Sequence, residues 1–91
     1  MKIRWTREAS DDIGRLHAFL LPSDPNAAAR IAQMLIDAPD KLLDHPRLGE
    51  LLDRYGGREI RHLHVGDYDM RYEFDGEVIS IIRIWHDRED R

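Results

Sequence analysis

Three absences bound this chain before any motif is read. It has no cysteine, which excludes a disulfide framework and thiol chemistry and fits a reducing cytoplasm. No apolar run approaches the roughly 20 residues of a membrane span, so no membrane role is expected. The start, Met1-Lys2-Ile3-Arg4-Trp5, is charged at its second and fourth positions and polar by Thr6, unlike a secretory leader. Lysine is scarce as well, confined to Lys2 and Lys41. A formal net charge of −4 argues against non-specific adhesion to nucleic acid over the whole surface, while leaving room for a local basic patch.

What is present is the composition of an ordinary globular protein. Hydrophobic residues make up 42% and charged residues 35% of 91 positions, enough for one domain, residues 1–91, with one modest core. Repeats, low-complexity tracts and interdomain linkers are not seen.

The chain is organised around Arg58 to Arg91. Tyr68, Met70, Tyr72 and Phe74 alternate with Asp69, Arg71 and Glu73, the period of a strand with one buried face. Asp75-Gly76 suits a type I′ hairpin turn. The run from Glu77 to His86 is rich in Ile and reads as a strand covered on both faces, placed centrally. Arg58 to Val65 is a strand with a flaw, because Ile60 and Leu63 cannot share a face without a bulge. Gly66-Asp67 turns it into Tyr68. The expectation is an antiparallel meander whose aromatic face needs a cover.

The first half supplies that cover. Lys2 to Trp5 alternates as a short strand. Thr6 is a helix N-cap with Glu8 in the first turn, and Ala9, Ile13, Leu16 and Leu20 form one apolar stripe ended by Pro22. Asp24-Pro25 starts a second helix, with Ala28, Ile31, Ala32, Leu35 and Ile36 as its stripe. Pro39 should kink or break it, leaving Leu42 and Leu43 on a shorter turn. His45 to Gly49 reads as a loop, and Glu50 to Gly57 as a connection ending in a flexible Gly56-Gly57 pair. The predicted class is α+β in the order β-α-α-β-β-β, a helical hairpin on one face of a mostly antiparallel four-stranded sheet.

Several segments, taken together, resemble the RelE/ParE superfamily of toxins from bacterial type II toxin-antitoxin modules. They are Trp5-Thr6 with Ala9 and Asp12, Asn26-Ala27-Ala28, Leu43 with His45-Pro46-Arg47-Leu48-Gly49, Arg58-Glu59-Ile60-Arg61, Val65-Gly66-Asp67-Tyr68 with Arg71-Tyr72, and Ile84-Trp85-His86-Asp87-Arg88-Glu89. The resemblance covers nearly the whole chain. It implies a small cytoplasmic toxin without cofactors, held inactive by a cognate antitoxin protein. RelE-like members look like ribosome-dependent endonucleases of mRNA, whereas ParE-like members are described as inhibitors of DNA gyrase.

The residues choose between these. Metal-free RNA cleavage needs a base, an acid and cations around the phosphate. The expected catalytic lysines are missing from the meander, and Asp69 stands where such nucleases usually carry arginine. A carboxylate there repels phosphate. This favours the ParE-like, plasmid-stabilisation branch, with DNA gyrase as target. The alternative is a RelE-like nuclease acting on ribosome and mRNA, with His86 as its catalytic candidate beside Arg61, Arg71 and Arg83. A further alternative is an inert partner-binding module.

Arg61, Arg71, Arg83, Trp85, His86 and Arg88 are the candidates for gripping target or antitoxin. Against that stands internal pairing of the arginines with Asp69, Glu73, Asp87 or Glu89. His62 and His64 share a strand face, but without further ligands at recognised spacing no metal site is expected.

Overall fold

The computed structural model describes residues 1–90, the side chains of residues 53–55 excepted. Eight elements follow one another: β1 (Lys2–Trp5), α1 (Arg7–Leu20), α2 (Pro25–Asp37), a 3₁₀ segment (Ala38–Leu43), β2 (Glu50–Tyr55), β3 (Arg58–Val65), β4 (Tyr68–Phe74) and β5 (Val78–His86). The strands form one sheet in the order β1-β5-β4-β3-β2, antiparallel except where β1 runs parallel to β5.

The α+β class and the helical hairpin are as the sequence predicts, but the sheet has five strands rather than four. Glu50–Tyr55 is an edge strand, not a plain connection. Its register slips between Leu51 and Asp53, which removes the two-residue period that would have announced it. Gly56 and Gly57, at φ 57° and 86°, form the hairpin turn into β3. Two successive positive φ angles are what a two-residue hairpin loop requires, so this pair is a fixed corner.

Three other expectations are corrected. β4, not β5, lies in the middle of the sheet. β3 pairs with β4 without interruption, Ile60 and Leu63 simply facing opposite sides, while a second irregularity falls on β5 between Ile81 and Arg83. Asp75-Gly76 is not a type I′ turn, because only Gly76 has positive φ. Asp75 instead accepts the N–H groups of Glu77 (2.9 Å) and Val78 (2.7 Å), a side-chain-built turn.

The helices start where their caps predict. Thr6 Oγ1 accepts from the Ala9 N–H at 3.1 Å, and Asp24 does the same for Ala27 at 3.0 Å, with Pro25 in the first turn. Pro39 ends α-helical geometry as expected, and the tighter segment that follows buries Leu42. Tyr68, Met70, Tyr72 and Phe74 lie buried with Ile79, Ile81 and Ile84 against Ala9, Leu16, Leu35 and Leu42, which is the core. Ile36, assigned to the buried stripe, is exposed.

Candidate functional site

β1 is four residues long and β5 nine, and β1 pairs only with Val78 to Ile81. The second half of β5 would therefore present a bare edge, and unpaired buried backbone groups are costly. Side chains leading into and along α1 close it. Thr6 Oγ1 donates to the Ile82 carbonyl (3.1 Å), Asp12 accepts the Ile84 N–H (2.8 Å), and Arg15 donates to the Ile84 carbonyl (3.0 Å). Asp12 also receives Arg83 Nε (2.9 Å), and Arg15 pairs with both Asp12 and Glu89. Burial pushes the Asp12 carboxyl upward, but the donors from Arg83, Ile84 and Arg15 outweigh it, and its pKa lies below the usual value. The Thr6, Ala9 and Asp12 pattern is thus the edge seal of β5. One sign of it was present in the sequence: Asp12 occupies the apolar stripe of α1 between Ala9 and Leu16.

A second polar cluster anchors the loop before β2. Glu59, buried, accepts Arg47 Nε (3.0 Å) and Nη2 (3.1 Å) as a fork, and Arg61 Nε at 2.6 Å. Arg61 also donates to the Gly49 carbonyl at 2.8 Å. The Tyr72 hydroxyl donates to the Pro46 carbonyl (2.8 Å) and accepts the Gly49 N–H (2.9 Å). A Cβ on Gly49 would sit 2.5 Å from the His62 carbonyl oxygen, so only glycine passes. Hydrogen bonds from Arg47 and Arg61 hold the Glu59 pKa down. The His45 to Gly49, Arg58 to Arg61 and Arg71-Tyr72 segments therefore meet largely as one structural clamp, and Arg61 is engaged inside it. Glu59 and Arg61 share the phase of Leu63 and Val65 along β3, which hints at internal pairing.

The remaining candidates divide by strand phase. Tyr68 pairs with His86 and Tyr72 with Arg61, so His86 and Arg61 belong to the helix side of the sheet. Arg71 pairs with Arg83, on the opposite, open side, and Trp85 joins them there opposite Asp69. The Arg71 and Arg83 guanidinium carbons lie 4.7 and 4.9 Å from the Trp85 ring centroid. The predicted set is thus divided: Arg71, Arg83 and Trp85 meet, Arg61 and His86 lie on the helix side, and Arg88 sits in the turn after β5.

His86 meets Tyr68 edge to face at 5.1 Å, and its Nδ1 accepts the Arg88 N–H at 3.1 Å. Glu89 accepts the His86 N–H at 2.9 Å and pairs with Arg15, fastening the C-terminal turn to α1. Burial, with Asp67 and Glu89 nearby, raises the Tyr68 pKa, which makes its hydroxyl a poorer source of phenolate.

On the open side, several of the charges of β3, β4 and β5 are paired. Besides Arg83 with Asp12, Arg58 forks onto Glu73 at 3.0 and 2.8 Å, and His62 Nδ1 lies 3.1 Å from the buried Asp69. The ring contact between His62 and His64, at 5.1 Å, fits their shared face, and no group of three or more metal-ligating side chains occurs among the described residues. Arg71 stands apart from these pairs. Its Nε is buried and, among the described residues, has no hydrogen-bond acceptor. Such a donor ordinarily costs about 1–3 kcal/mol.

With this geometry in place, comparison with known proteins is direct. The family model described as the ParE toxin of the type II toxin-antitoxin system parDE matches residues 3–91. A protein named Toxin RelE1 from Caulobacter vibrioides is 34% identical over 87 residues, covering 91% of this chain and 89% of that protein. A chain from a chromosomal ParDE toxin-antitoxin system of P. aeruginosa superposes with a TM-score of 0.79 at 21% identity, covering 94% of this chain and 95% of that one. A chain of the RelBE2 toxin-antitoxin complex from Mycobacterium tuberculosis gives 0.58 at 23% identity, covering 93% and 95%. Both likenesses establish the fold, and the family match establishes the kinship: this chain belongs to the ParE toxin family of type II toxin-antitoxin systems, within the RelE/ParE superfamily.

Proposed function

We propose that this toxin is of the ParE-like, plasmid-stabilisation kind, acts in the cytoplasm by binding DNA gyrase rather than by cutting RNA, and is neutralised by a cognate antitoxin. The observation that carries the reading is the pairing of charge on the open face of β3, β4 and β5. Arg83 is tied to Asp12, Arg58 to Glu73, and the buried Asp69 stands beside Arg71 on the strand. A scissile phosphate placed there would meet carboxylates where its charge must be stabilised. The two sides of the sheet support the same reading. His86 and Arg61 on one side cannot act on a bond that Arg71 and Arg83 hold on the other.

The kinship itself supports an antitoxin, as do the superposed structures, which come from a ParDE system and a RelBE2 toxin-antitoxin complex. Among the described residues, no helix is long and apolar enough to cross a membrane. Two assays decide the target. Purified toxin should inhibit gyrase supercoiling and leave ribosome-programmed mRNA intact. Unaffected supercoiling at saturating toxin removes the gyrase proposal, and cleaved transcripts would install the nuclease in its place. Induced expression with and without the neighbouring reading frame separates both from an inert module.

A further inference from the structure

The cross-strand pair Arg71–Arg83 sets two cations opposite each other on one face, an arrangement that is unfavourable unless something neutralises it. Asp12 neutralises Arg83. Among the described residues no carboxylate does the same for Arg71. Its neighbours along β4 are Asp69, which lies against His62, and Glu73, which is held by Arg58. Its cross-strand neighbour on β3 is His62. Its guanidinium rests on Trp85, which fixes the plane of the fork, while among the described residues its Nε–H has no acceptor. The buried Nε is closed to a partner, but Arg71 is half-buried as a whole, and its outer guanidinium nitrogens, held in plane by Trp85, suit a two-oxygen anion that can take parallel hydrogen bonds.

We infer that Arg71 anchors a carboxylate of the antitoxin, an Asp or Glu side chain laid over the open face beside Arg83. This rests on the reading that an antitoxin holds the chain, and it names the contact. A carboxylate is favoured over a nucleic-acid backbone because Asp69 and Glu73 flank Arg71 on its own strand. One negative charge can be seated between them, whereas a string of phosphates would run across both. The Trp85 ring is already in contact with two guanidinium groups, so it is not a bare platform for a base.

The test uses the full toxin and, as probes, the protein encoded by the neighbouring reading frame, an amidated glutamate-containing peptide and a single-stranded oligonucleotide. In the complex, the Arg71 Nε–H nitrogen resonance should shift. Arg71→Gln should weaken binding at least about tenfold, and Arg71→Lys, which keeps charge but loses the fork, should weaken it less. One Asp or Glu of the partner should couple to Arg71 in a double-mutant cycle, and the peptide should shift the same resonance saturably. Equal binding by wild type and Arg71→Gln, with native amide spectra for both, overturns the inference and leaves the antitoxin reading standing. If wild type does not bind the neighbouring protein, that reading fails, and the peptide alone decides the site: a saturable shift supports it and none overturns it. An oligonucleotide that shifts Arg71 at lower concentration than the peptide also overturns it.

Discussion

Two arginines on adjacent strands, Arg61 on β3 and Arg71 on β4, have opposite fates. Arg61 faces the helix side and is spent on Glu59 and the Gly49 carbonyl, inside a clamp that locks the loop before β2. Arg71 faces the open side, lies against Trp85 and keeps a buried Nε that has no acceptor among the described residues. The same side chain thus stabilises the fold in one place and holds a binding capacity unused in the other. A satisfied charge cluster rigidifies, and a buried donor left without an acceptor costs stability.

The largest expected effect lies at the seal between α1 and β5. Asp12→Ala removes the acceptor of Arg83, Arg15 and the Ile84 N–H together. It should destabilise by about 3 kcal/mol, the lower end for a broken buried pair because both arginines remain partly in water. Chemical denaturation measures it, and a loss confined to tenths of a kcal/mol would mean that the edge is closed by something else. Next comes Tyr72→Phe, which strands the Gly49 N–H and the Pro46 carbonyl for about 1–3 kcal/mol. It should also speed amide exchange in the loop before β2 while leaving that on α1 unchanged.

Acid sharpens the contrast further. The pKa values of Asp12 and Glu59 are both lowered in the fold, so their contribution is complete above the ordinary carboxylate range near about 4 and is lost as pH falls below it. Stability should therefore decline below about pH 4, and Glu59→Gln, though less stable at neutral pH, should show a shallower decline than wild type.

Much of the architecture was legible because local signals agreed with the global result. Thr6 and Asp24 as caps, Pro25 and Pro39 as punctuation, and the Tyr68 to Phe74 alternation each describe a short stretch of chain. What stayed hidden depended on pairing between distant segments. β2 was hidden because the slip between Leu51 and Asp53 erases its period, and Gly56-Gly57 reads equally as a hinge or a turn. The fate of each arginine depends on strand phase and on where β1 stops, so Arg61 was grouped with Arg71 although the sheet separates them. Asp12 entered only as part of a resemblance, while its physical task is fixed by the five-residue difference in length between β1 and β5, four against nine.

The most direct test is a paired denaturation measurement on Arg61→Met and Arg71→Met in the isolated toxin. Arg61→Met leaves Glu59 buried with less than its full set of donors and should cost about 2–3 kcal/mol. Arg71→Met loses its contact with Trp85 but also removes the unmet donor, and should change stability by less than about 1 kcal/mol in either direction. Equal losses from the two substitutions would contradict the account, because they would mean that Arg71 is as fully employed in the free fold as Arg61.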